Sequence, residues 1–252
     1  FDVDRDGRLD VFLAASGGGS QLWRNRGDWR FEDTTTAAFG AERSGLAGDV
    51  TAAAGADLNG DGLPDLVLNT HADGIRILLN RGAEGFVVMP FPQVSERGGH
   101  SLALADVDGD GWVDLYVCNY RQRALMDMPN ARATFQGSGA NRRLATLDGR
   151  PATDPDLTNR FVVTPTGGLE EVGEPDVLYR NMGGTNFLAV PWTGGTFLDE
   201  SGRPLPAPLR EWGLAAQFCD VNGDGRPDLY VCNDFQTPDR FWLNESTPGN
   251  LR

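Results

Sequence analysis

Nine-residue stretches of the form Asp-x-Asp/Asn-x-Asp-Gly-x-x-Asp occur four times, and they are the part of this chain best equipped for chemistry. Asp2, Asp4, Asp6 and Asp10 form the first; Asp57, Asn59, Asp61 and Asp65 the second. Asp106, Asp108, Asp110 and Asp114 form the third, and Asp220, Asn222, Asp224 and Asp228 the fourth. Each set offers side-chain oxygens at positions 1, 3, 5 and 9, a main-chain carbonyl at position 7 (Arg8, Leu63, Trp112, Arg226), and glycine at position 6, where a sharp turn excludes a Cβ. A flexible ring of oxygens alone suits a hard cation, Ca2+ ahead of Mg2+. Without one, such a turn repels itself: two carboxylates about 4 Å apart cost about 4 kcal/mol at an effective dielectric near 20. A single copy is compatible with a solvated Asp/Gly loop; four copies with glycine at one offset point to up to four bound calcium ions.

The residues after each turn decide what positions it. An EF-hand would carry Glu at position 12 and run on into a helix. Here that position is Leu13, Leu68, Val117 or Val231, inside short β-branched and apolar runs such as Leu66-Val-Leu-Asn69 and Leu115-Tyr-Val-Cys118. Runs apolar at every position read as strands covered on both sides, so each turn joins two strands of a hairpin.

Two further strands follow most hairpins. The second unit is complete: Asp49 to Ala56, Leu66 to Thr70, Ile75 to Asn80 and Gly85 to Met89. The first unit shows only Leu9 to Ala15, Gln21 to Asn25 and Trp29 to Asp33, and its missing strand is expected to precede Phe1. The third unit has His100 to Ala105 and Leu115 to Asn119, then an insertion over 120–176, then Val177 to Asn181 and Asn186 to Val190. The fourth has Trp212 to Cys219, Leu229 to Asn233 and Asp239 to Asn244. The turns start at residues 2, 57, 106 and 220, so once the insertion is set aside the period is about fifty residues. A four-stranded antiparallel unit repeating at that length is a β-propeller blade, which predicts an all-β chain of about three and a half blades, with repeats near 1–48, 49–98, 99–211 and 212–252. A ring does not close comfortably on so few blades, and the chain starts with Phe1 rather than Met, so it is expected to be a fragment of a seven- or eight-bladed propeller. An insertion of that length in a compact domain implies a role of its own or disorder.

Composition narrows the function classes. The net charge of -14 arises in the turns, whose fourteen aspartates account for the whole excess; four bound Ca2+ would reduce it to about -6. Such a surface is a poor partner for nucleic acid. Every basic residue is arginine, which excludes Schiff-base chemistry, a lysine base and a P-loop. With only His71 and His100, a histidine zinc site or a serine triad has little material. No stretch reads as a signal peptide or a membrane span. Cys118, Cys219 and Cys232 are expected to be buried free thiols, with Cys219 opposite Leu229 across its hairpin and out of phase with Cys232.

The motif Asp-x-Asp/Asn-x-Asp-Gly-x-x-Asp before a strand, followed by Leu-Trp/Tyr-Arg-Asn (Leu22 to Asn25, Leu178 to Asn181) and a later Phe31 or Phe187, resembles the FG-GAP/VCBS repeats of integrin α-subunit propellers. Tyr116-Val-Cys-Asn-Tyr120, the long insertion and Tyr230-Val-Cys-Asn-Asp234 are most similar to bacterial repeat proteins related to cartilage acidic protein. The resemblance implies a Ca2+-stabilised propeller of secreted, cell-surface or periplasmic proteins, often adhesive, and it implies that Asn59 and Asn222 weaken their two sites.

Strand alternation places the insertion on the face away from the acidic turns, together with His71, His100, Tyr120, Arg121, Arg123, Trp192, Trp212, Asp234 and Phe235. Aromatic and arginine side chains on loops are recognition material. The first reading is a binding or adhesion scaffold for a protein or glycan. The alternative is a calcium-dependent polysaccharide lyase, in which a cation neutralises a uronate and a Tyr, His or Arg takes the α-proton; a plain structural spacer is the third.

Overall fold

The computed structural model describes residues 1–90, 98–184, 186–234 and 237–252. Among these, four antiparallel sheets carry the repeat. Sheet 1 holds β1 (Val11–Leu13), β2 (Gln21–Asn25) and β3 (Phe31–Asp33), and the short helix α1 (Thr35–Phe39) leads out of it. Sheet 2 holds β4 (Val50–Ala56), β5 (Asp65–Thr70), β6 (Gly74–Asn80) and β7 (Phe86–Met89) in that order. Sheet 3 starts with β8 (Gly99–Ala105) and β9 (Asp114–Asn119). Five short strands of the insertion follow: β10 (Ala133–Gln136), β11 (Arg143–Leu147), β12 (Arg150–Pro151), β13 (Phe161–Val163) and β14 (Leu169–Glu171). Sheet 3 is then completed by β15 (Val177–Asn181) and β16 (Phe187–Ala189), and sheet 4 holds β17 (Gly213–Cys219), β18 (Asp228–Asn233) and β19 (Arg240–Trp242). These are the blades of a β-propeller.

The period-2 pattern of the second strands builds the core between blades. In β5, Leu66 and Leu68 pack with Leu22 and Phe39 toward sheet 1, while Val67 packs with Leu115 and Val117 toward sheet 3. In β9, Tyr116 and Cys118 point the other way, onto Leu229 and Val231 of sheet 4. All six residues of β5 and of β9 are buried for this reason. Each such side chain contributes about 1.5–3 kcal/mol of transfer free energy.

The first strands β4, β8 and β17 lie side by side. Their register shifts at one shared place, between Val50 and Ala52, Gly99 and Ser101, and Gly213 and Ala215. The bulged residue reaches the next blade: Thr51 Oγ1 donates to Gly99 O at 2.8 Å, and His100 Nδ1 donates to Leu214 O at 2.9 Å. A bulge turns one side chain out of the pleat, and here that side chain ties adjacent sheets.

Several expectations shift. Trp29 lies in the β2–β3 turn at φ 57°, 93% exposed, because Arg26 N–H closes that turn onto Arg30 O. The strand expected over Leu9 to Ala15 is confined to Val11–Leu13, and the last strand to Arg240–Trp242. Cys219 faces Asp228 rather than Leu229, since the last aspartate of the acidic turn already belongs to the strand. Cys118 is buried, but Cys232 is half-buried and Cys219 exposed; all three are free thiols. The insertion is a small β unit with its own core of Leu144, Leu147 and Leu157 packed by Phe135, Phe161 and Leu169.

Candidate metal centres

All four acidic turns adopt one conformation, and their own main chain holds it. The glycine at position 6 takes φ of 85°, 85°, 91° and 83° at Gly7, Gly62, Gly111 and Gly225, and its N–H donates to Oδ2 of the position 1 aspartate. A side chain there would be strained by its left-handed backbone alone. Position 5 accepts from the N–H of position 7 in every copy: Arg8 to Asp6, Leu63 to Asp61, Trp112 to Asp110 and Arg226 to Asp224.

Position 9 does something the spacing did not reveal. Both oxygens of Asp10, Asp65, Asp114 and Asp228 accept main-chain N–H groups, one from position 2 of the turn and one from an asparagine at the end of the third strand or, for Asn244, two residues past it. All four carboxylates are buried. The asparagines, Asn25, Asn80, Asn181 and Asn244, then extend the linkage. Asn80 Nδ2 donates to Val3 O of the preceding turn, Asn181 Nδ2 to Leu58 O, and Asn244 Nδ2 to Val107 O. Each turn is thereby fastened to its own blade, and the second, third and fourth also to the turn of the blade before, while Asn25 Nδ2 donates to Leu9 O of its own turn. The Asn after Leu-Trp/Tyr-Arg in two of the blades was the available signal; its partner was not legible.

Electrostatics follow burial. Burial pushes the Asp114 carboxyl up to about 7, against two N–H donors that lower it, and raises Asp65 and Asp108 in the same direction. On the exposed fourth turn, the Arg226 N–H holds Asp224 below the ordinary carboxylate range. The donor set fits a hard divalent cation. Asp2, Asp4 and Asp10 each bring an oxygen within 4.8 Å of the others, as do Asp106, Asp108 and Asp110. Asp4 Oδ1 and Asp108 Oδ2 are buried oxygens with no aligned hydrogen-bond donor. Asn59 and Asn222 sit at position 3 of the other two turns, so no comparable carboxylate triad is found there among the described residues.

The residues assigned to the opposite face divide into two groups. Tyr120, Trp212, His100 and Asp234 meet: the Tyr120 ring lies 4.7 Å from Trp212 and 6.0 Å from His100, and Tyr120 Oη donates to Asp234 Oδ2 at 2.8 Å. Burial and that acidic partner push the Tyr120 phenol up to about 12. His71 stands beside them, its Nε2 donating to Gln122 O at 2.7 Å. Arg121 is instead buried in the neck of the insertion, donating to Val172 O and Gly173 O and paired with Glu174 at 2.5 Å. Arg123 lends its carbonyl to Arg160. Trp192 offers no binding surface: it is buried on Phe197 at 4.3 Å with its indole N–H on Asp176 O, because the segment after β16 folds inward to cover sheet 3. Phe235 lies outside the described residues.

The chain is 22% identical over 273 residues to cartilage acidic protein 1 of Xenopus tropicalis, an alignment that covers all of this chain and 42% of that protein. The chain thus spans less than half the length of that relative. Among solved structures it is similar, at 18% identity and a TM-score of 0.37, to an Agrocybe aegerita lectin described as recognising non-reducing terminal N-acetylglucosamine; 98% of this chain and 65% of that one are covered. A model of the FG-GAP-like repeat matches residues 2–68, 57–117 and 173–231. These matches take in all four acidic turns and well over half of the sequence, and the chain belongs to the FG-GAP-like repeat family.

Proposed function

We propose that this chain is a calcium-binding propeller scaffold of an extracellular, cell-surface or periplasmic protein, presenting the face opposite its acidic turns to a protein or glycan. The observation that carries the reading is the repetition of one turn geometry four times with oxygen donors only, at the same end of each sheet. Bound calcium would neutralise carboxylates that otherwise repel, so its binding free energy adds to the stability of the fold. The residues that would hold it are those at positions 1, 3, 5 and 9, with the position 7 carbonyl, and the buried position 9 carboxylate also anchors the turn.

On the other face, the exposed His100 and half-buried Tyr120 rings beside Asp234, backed by the buried Trp212, form a mixed aromatic and acidic patch suited to contact with a sugar or a peptide side chain. The same geometry favours binding over lyase chemistry, because both histidines stand at the sheet ends away from the acidic turns, where no turn cation lies beside them to neutralise a uronate.

Calorimetric titration with Ca2+ should give dissociation constants on the order of 0.1–1 mM, the range of extracellular modules. The melting temperature should fall in excess EDTA and return with Ca2+. Asp110→Ala and Asp224→Ala should each reduce the response. An identical melting curve with and without chelator removes the calcium reading. A glycan and protein-ligand array probed in Ca2+ tests the scaffold reading, and unsaturated products from a uronate polymer, abolished by His100→Ala, would replace it with the lyase.

A further inference from the structure

The residue before the anchoring asparagine of each third strand changes in step with position 3 of the turn. In sheets 1 and 3 it is Arg24 or Arg180, and position 3 is Asp4 or Asp108. In sheets 2 and 4 it is Leu79 or Leu243, and position 3 is Asn59 or Asn222.

The contacts explain the pairing. Arg180 Nε lies 2.5 Å from Asp108 Oδ2, and Arg180 Nη2 donates to Asp110 Oδ2 at 3.1 Å. Arg24 likewise touches Asp4 and lies 3.9 Å from Asp6 Oδ2. A guanidinium therefore bridges positions 3 and 5 in these two turns. In the other two the asparagine does so itself, Asn59 Nδ2 donating to Asp61 Oδ2 at 3.0 Å and Asn222 Nδ2 to Asp224 Oδ2 at 2.9 Å. Asp108 is 1% exposed and has no aligned hydrogen bond to its Oδ2. Such a carboxylate needs a cation beside it. Four aspartates with one guanidinium and three aspartates with an amide give the same charge, three negative. Arg8, Arg81 and Arg226, which also reach position 5 of the first, second and fourth turns, do so from the solvent side, with side chains 45%, 46% and 42% exposed, where their charge is largely screened.

We propose that Arg24 and Arg180 are charge-setting residues of the first and third cation sites, matching them to the asparagine-bearing sites so that all four hold a divalent ion with comparable strength. Asp with Arg and Asn with Leu are then two interchangeable solutions to one local constraint, and Asn59 and Asn222 do not mark weak sites. This inference rests on the calcium reading above.

The test is a double-mutant cycle of Asp108→Asn and Arg180→Leu, melted in excess EDTA and again in Ca2+. Arg180→Leu should melt about 5 °C lower in EDTA, since it leaves the buried Asp108 without its cation, and Asp108→Asn should melt lower by less, since Arg180 keeps Asp110. The double variant should return to within about 2 °C of the parent. The Ca2+-induced rise in melting temperature should be larger than the parent's in Arg180→Leu, smaller in Asp108→Asn, and restored in the double variant. Should the third turn fail to fold when altered, the Asp4→Asn/Arg24→Leu cycle in the first turn reads the same quantities. Additive losses, with the double variant as poor as the two singles combined, overturn the inference while leaving calcium binding intact. A parent whose melting ignores Ca2+ overturns the calcium reading instead, and this inference with it.

Discussion

Asp114 and Asp176 show how a carboxylate can be structural and still sense pH. Asp176 accepts from the Asn119 N–H at 2.8 Å and from Tyr116 Oη at 2.9 Å, and burial pushes its carboxyl up to about 7. The folded chain keeps a proton there that the unfolded chain releases near pH 4. This contribution to stability is complete below about pH 4 and is lost as pH rises to about 7, amounting to roughly 4 kcal/mol. Asp114 runs in the same direction when no cation is bound. Urea unfolding in EDTA across that window should therefore show a decline that Asp176→Asn flattens. At Asp114 the prediction is of another kind: Asp114→Ala strands the buried N–H groups of Val107 and Asn181, and should cost about 3 kcal/mol in urea unfolding at neutral pH.

Between elements, the decisive contacts are small and repeated. Asn181 Nδ2 joins sheet 3 to the turn of sheet 2, so Asn181→Ala should lower stability by about 2 kcal/mol with a loss of cooperativity between blades. The close approach of a first strand to the blade before it gives a second test. A Cβ on Gly99 would stand 1.9 Å from Asn69 Oδ1, and one on Gly213 would stand 2.7 Å from Asp176 Oδ1. Gly99→Ala should thus be the more destabilising, by about 3 kcal/mol or more, read as a shift in the unfolding midpoint at constant slope.

At the scale of the molecule, the insertion is a separate body on a narrow neck. Glu174 N–H donates to Tyr120 O at 3.0 Å, which brings the two ends of the insertion together, and the buried Arg121 and Arg160 pair with Glu171 and Glu174 above that closure. Replacing residues 123–171 by two or three glycines should leave a chain that still melts cooperatively and still responds to Ca2+, while ligand binding on that face is altered. Loss of the folded state in this variant would show instead that the insertion holds sheet 3 together.

The repeat was open to reading because its parts are local. Glycine at position 6, oxygens at alternate positions and an apolar run after the ninth residue each follow from the chain within ten residues, and together they determined strands, hairpins and the blade period. What lay beyond was decided between distant residues. Nothing within the turn shows that Asp114 also anchors Asn181, which packing brings to it from 67 residues away, and Trp192 reads as a loop aromatic until the segment after β16 turns it inward onto Phe197. The pairing of Arg180 with Asp108 is of the same kind. Side-chain types and spacing announce what a turn can bind, but only packing brings together the partners that set its charge, its burial and its anchorage.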